Sequence, residues 1–146
     1  MSTGNDPPPT GIVRRITDYL ANAAARAALR RFDKEQEKLQ SSFLQLAHAS
    51  GKPRGLRWAT CDWLDERVLL RDRDSGILTL CVGLNVRFEA IEGGEMEGID
   101  AVSTVRDACA IFHFRDGRWG TAGRVLFNHS PELAAVRLDG SWVRVD

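Results

Sequence analysis

Between residues 77 and 91 the chain alternates with few errors. Leu78, Leu80, Val82, Leu84, Val86, Phe88 and Ala90 share one parity, and Thr79, Cys81, Asn85, Arg87 and Glu89 the other. Successive side chains of an extended chain point to opposite faces, so this pattern predicts one long strand with an apolar and a polar side. Such a strand belongs in an antiparallel sheet whose apolar side something else must cover. The feature restricts the architecture strongly, yet it supplies no catalytic group.

The covering element has to come from upstream, where a helical signal runs from about residue 12 to residue 50 and Gly51 and Pro53 supply the stop. Thr10 is a suitable N-cap. On a helical wheel Ile12, Ile16, Leu20, Ala23 and Ala27 form one stripe; Phe32, Leu39, Phe43, Leu46 and Ala47 form another, roughly 150° away. One straight helix cannot bury both on one sheet. Either it breaks between residues 32 and 38, or its first half projects and packs elsewhere. The second stripe carries the larger side chains and is assigned to the sheet.

Three segments follow. Residues 1–10, with three prolines that deny helix its donors, are expected to be a disordered leader. Residues 11–31 read as an alanine-rich helical extension in which Arg14, Arg15, Arg26, Arg30 and Arg31 face Asp18 alone. Residues 32–146 read as a single α+β domain, an N-terminal helix packed on a curved antiparallel β-meander, within the usual domain size.

Beyond Gly55 the pattern is strand and turn: strands at 56–63 and 68–71, a turn at Asp74-Ser75-Gly76, and the long strand. A glycine-rich acidic loop follows, then strands at 101–115 and 118–128 joined by Asp116-Gly117, a two-residue type I′ signature. Ser130-Pro131-Glu132 opens a short helix through Val136, and residues 142–145 form a last strand. The Asp116-Gly117 turn sets Phe114 opposite Trp119, Phe112 opposite Thr121, Ala110 opposite Gly123 and Ala108 opposite Val125. Small residues in the middle of that side leave room for the helix. The other side carries Asp107, Cys109, His113, Arg124 and Asn128, together with Asn85 and Arg87.

One helix followed by an antiparallel meander, with the hairpin tetrapeptide Asp116-Gly117-Arg118-Trp119, resembles the cystatin-like architecture and, within it, the NTF2-like superfamily over roughly residues 35–146. The resemblance implies a cone-shaped space between helix and sheet. Some members use it for small molecules or proton transfer, and others only dimerise.

Chemistry is sparse. Asp107, His113 and Arg124 form the one catalytic candidate, since a carboxylate beside histidine can move protons. An exposed cross-strand ion pair explains Asp107 and Arg124 as well. Asn85, Arg87, Asp107, Arg124 and Asn128 are the ligand or interface candidates. No histidine shares a ligand spacing with a cysteine, the acidic residues Glu92, Glu95, Glu97 and Asp100 lack a calcium-loop pattern, and no metal or cofactor is called for. Cys61, Cys81 and Cys109 are odd in number, without CxxC spacing, and are expected as free thiols in a reducing cytoplasm. With 20 basic and 20 acidic residues, bulk charge makes no case for nucleic acid. No apolar run approaches the roughly 20 residues that span a bilayer. The expected function is a non-catalytic protein-interaction or small-ligand module, which dimerises through its sheet. The alternatives are an NTF2-like enzyme using the polar sheet groups, and a surface-recruitment protein acting through the basic helix.

Overall fold

The computed structural model describes residues 10–138 and 140–145; the expected leader lies outside them, apart from the backbone of Thr10. The elements are α1 (Thr10–Ala49), β1 (Leu56–Asp72), β2 (Leu78–Ala90), a 3₁₀ turn (Asp100–Ser103), β3 (Arg106–Arg115), β4 (Arg118–Gly120), β5 (Val125–Phe127), α2 (Pro131–Arg137) and β6 (Trp142–Val145). The six strands form one antiparallel sheet in the order β4-β3-β2-β1-β6, with β5 also on β3. It is an α+β fold in which the N-terminal helix packs on an open antiparallel sheet.

The 13 residues of β2 pair along most of their length with both neighbours, and its even-numbered residues from Leu78 to Phe88 are buried under α1, with Ala90 partly buried. α1 has no break. Ala25, Ala28, Phe32, Leu39, Phe43 and Ala47 lie on one wheel stripe, and all are buried against the sheet. The stripe of Ile12, Ile16 and Leu20 faces away from it, so residues 11–20 stand exposed beyond the sheet. Phe32 and Phe43 carry the contact: Phe32 meets Phe112 and Trp119 edge-on at 5.1 and 5.3 Å, and Phe43 meets Trp63 at 5.4 Å. Burying each such ring is worth about 1.5–3 kcal/mol. The buried indole of Trp119 donates to the Ala28 carbonyl at 2.7 Å, which satisfies its one donor.

Four expectations need correction. Leu46 is 44 % exposed, because it lies at the edge of the stripe. Strands 56–63 and 68–71 are one strand, β1, which passes through two irregularities, at Trp58/Thr60 and Trp63/Arg67. The strand expected from residue 101 begins at Arg106, after the 3₁₀ turn. The strand expected over residues 118–128 is two short ones, because residues 121–124 loop out of the ladder. That loop changes the register by two. Phe114 faces Trp119 as expected, but Ala110 faces Val125 and Ala108 faces Phe127.

Gly123 sits in the loop at φ +77°, and a Cβ there would lie 2.6 Å from the Cβ of Leu46. A bare glycine therefore permits the close approach of α1 to the sheet edge. Asp116 and Gly117 adopt φ +53° and +75°, the paired positive values that a type I′ turn demands.

Candidate functional site

The face of the sheet away from α1 is not uniformly open. Ser130 caps α2 by accepting from the Leu133 amide at 3.2 Å, with Pro131 in the first turn. The helix lies over the middle of this outer face, where Ala134 joins Val68, Leu70, Cys81, Cys109 and Ile111 in a second small core. Gly83 provides the seat, since a Cβ there would lie 3.4 Å from Pro131. Glu132 of α2 pairs with Arg144 of β6 at 2.7 Å and ties the helix to the far strand. The outer face is thus divided into two polar ends.

One end holds an acid-and-amide row. The register sets Asp62 opposite Asn85, and Asn85 opposite Asp107, while the backbone N–H of Asn128 donates to the backbone carbonyl of Asp107 at 2.7 Å. Three ligand candidates, Asn85, Asp107 and Asn128, are therefore neighbours along the backbone ladder, joined by Asp62, which local periodicity did not single out. Its parity was hidden by the irregularity after Trp58. Arg87 lies one step further out, opposite Thr60, and is exposed.

The other end is basic. His113 pairs with Gly120 and Arg115 with Arg118, so the side chains of His113, Arg115 and Arg118 share the outer face of the β3–β4 hairpin. Arg124 belongs here and not beside Asp107. The two-residue change of register places it opposite Ile111, whose amide donates to its carbonyl at 3.2 Å, and Asp107 is four positions further along β3. Among the described residues no ion pair joins Asp107 to Arg124. His113 and Asp107 are six residues apart on one strand, roughly 20 Å at the rise of a β-strand. The catalytic triad of candidates is separated.

His113 Nδ1 lies 2.9 Å from the hydroxyl of the fully buried Thr79. Partial burial, and after it the charges of Arg115 and Arg124, hold its pKa below the ordinary histidine value. A groove of about 530 Å³ runs beside it, lined by His113, Arg115, Arg118, Gly120, Thr121 and Ala122 among others. A second groove of about 380 Å³ lies on the far side of the 121–124 loop, against Lys52, Trp58, Arg124 and Phe127.

The remaining candidates are accounted for locally. His48 ends α1 with its ring 5.5 Å from Trp58, and His129 Nδ1 lies 2.7 Å from the Phe127 carbonyl. In the acidic loop the Glu97 carboxylate accepts from the Gly93 amide at 2.6 Å. Among the described residues no three His, Cys, Asp or Glu converge as a metal site, and no helix is long and apolar enough to cross a membrane. Of the basic-helix residues Arg14, Arg15, Arg26, Arg30 and Arg31, all exposed, Arg31 alone reaches the hairpin. It donates to the Gly117 carbonyl at 2.8 Å and lies over the Phe114 ring. The cysteines are free, with Cys81 and Cys109 buried beneath α2 and Cys61 on the α1 side. Comparison with known proteins returns no match to this chain: no family profile, no curated protein and no solved structure.

Proposed function

We propose that this chain is a non-catalytic binding module, a cystatin-like or NTF2-like helix-on-sheet domain whose ligand or protein partner meets the outer face of the sheet at its basic end. The supporting observation is where space is left. Phe32, Phe43, Trp63, Phe112 and Trp119 contact one another between α1 and the sheet, so the space that the resemblance assigns to a ligand holds aromatic rings. The polar candidates and an open groove lie on the other side. The enzyme reading is disfavoured by the separation of Asp107 from His113, since general acid–base partners must lie within hydrogen-bond reach of one reacting group.

A second copy of the chain is one protein partner this reading allows. α2 already occupies the centre of the outer face, so a dimer through the sheet would have to bury its ends. Recruitment to an anionic surface through α1 is favoured by one observation, the exposure of Ile12, Ile16 and Leu20 at 51, 56 and 61 % next to Arg14 and Arg15.

The test is a screen of neutral and charged small fragments against the isotopically labelled protein, read by amide chemical shifts. Perturbations clustered at residues 113–121 support the reading. Perturbations at Phe43, Leu84 and Phe112, or conversion of any fragment to product, overturn it.

A further inference from the structure

The β3–β4 hairpin places two like charges directly opposite each other. Arg115 and Arg118 are register partners on one face of an antiparallel pair, an arrangement that costs stability unless something neutralises it. Three arginines elsewhere have carboxylate partners, Arg57 with Glu89, Arg67 with Asp33 and Arg144 with Glu132, at 3.1, 2.6 and 2.7 Å, and of these the cross-strand partner of Arg57 is an acid. Among the described residues neither Arg115, Arg118 nor Arg124 has a carboxylate partner, and all three are exposed. In a chain with 20 basic and 20 acidic residues, this concentration is local and is not inherited from bulk charge.

The surroundings shape the patch. Gly120, opposite His113, contributes no side chain, so the groove dips between His113 and the Arg115–Arg118 pair. Thr79 engages Nδ1 of His113, so Nε2 is the ring nitrogen left to a ligand. Arg31 braces the turn from α1 and brings a further positive charge behind it. Guanidinium groups are planar forks that match the oxygens of a phosphate two at a time.

We propose that the outer face of the β3–β4 hairpin is a binding site for a small phosphate-bearing ligand, with Arg115 and Arg118 gripping a phosphate group, His113 donating from Nε2, and Arg124, at the far end of the 121–124 loop, adding its charge at longer range. The inference rests on the reading of this face as the binding surface and adds the ligand class. A merely solvated basic patch would bind anions weakly and without regard to which arginines are present.

The experiment titrates inorganic pyrophosphate into the full chain at low and high salt, following amide shifts and heat. Binding should shift residues 113–124 and weaken as salt rises. The double variant Arg115→Gln/Arg118→Gln should lose at least about tenfold in affinity, and Arg124→Gln about threefold, with thermal melting showing that each is folded. The control Arg14→Gln/Arg15→Gln should stay within about twofold of the parent, because it removes the same charge from α1. Equal losses in the control, shifts confined to residues 11–31, or unchanged binding by the hairpin variant overturn the site. Binding of anionic vesicles or duplex DNA without any response to pyrophosphate overturns it in favour of a macromolecular surface. If pyrophosphate is inert while neutral fragments still perturb residues 113–121, the ligand class falls and the binding-face reading stands; if both are silent, both fall.

Discussion

At the scale of single residues, the hairpin exchanges stability for charge. Reversing one member of the opposed pair, Arg118→Glu, should convert a repulsive cross-strand contact into an attractive one and stabilise the fold by about 0.2–1 kcal/mol. The same change should abolish pyrophosphate binding, and urea unfolding alongside the titration checks both. His113 makes a prediction with a definite sign. Its folded pKa lies below the ordinary value of about 6.5, so the unfolded chain takes up the proton more readily. Above that value the group has no effect on stability. As pH falls through it the folded state loses ground, until folded His113 protonates as well. His113→Gln should therefore flatten the loss of stability as pH falls below about 6.5, and identical pH slopes in parent and variant would refute the assignment. Gly123→Ala combines a positive φ with a Cβ forced 2.6 Å from Leu46. It should cost about 1–3 kcal/mol by urea unfolding.

At the scale of elements, α1 works in two sections. From Ala25 to Ala47 its inward stripe is part of the core; residues 11–20 are exposed on every side. Removing residues 1–20 should leave the melting temperature within a few degrees of the parent, because the side chains described there, at residues 11–20, are all exposed. Removing residues 1–31 also takes Ala25, Ala28, the carbonyl that accepts from Trp119, and the Arg31 contact to the turn. That truncation should melt clearly lower, and calorimetry of the two proteins distinguishes them. Equal melting temperatures would mean that the helix contributes to the core only from Phe32 onward. Within the inner section Phe43→Ala should cost about 3–5 kcal/mol, since the emptied site is walled by Trp63 and Phe112 and cannot easily collapse.

At the scale of the molecule, the three thiols report on the whole fold. Cys81 and Cys109 are fully buried under α2, and burial and then Asp62 push the Cys61 thiol up to about 11. The reactive species is the thiolate, so a disulfide-exchange reagent at neutral pH should modify the buried Cys81 and Cys109 only as fast as the protein opens, and the partly buried Cys61 slowly because little of it is thiolate. A thiol that reacts rapidly in the folded protein would show that the α2 layer or the Cys61 environment opens locally.

What the sequence determined by itself was whatever depends on local periodicity. The alternation of residues 78–90 reports a strand's two faces wherever that strand lies, the type I′ pair at Asp116-Gly117 needs only its own backbone, and Ser130-Pro131-Glu132 marks a helix start from its own donors. The stripe of Phe32, Leu39 and Phe43 likewise identified the covering side of α1, although the smaller Ala25 and Ala28 on the same stripe gave too weak a signal to extend it. Tertiary structure decided which polar residues meet. A loop of four residues, 121–124, carried Arg124 from the neighbourhood of Asp107 to that of His113, and the irregularity after Trp58 brought Asp62 beside Asn85. The 121–124 loop lies against Leu46, far away in the chain, at Gly123, and α2 is seated on the sheet by Pro131 over Gly83. Periodicity is a property of neighbours in sequence; register beyond an irregularity is set by packing between elements.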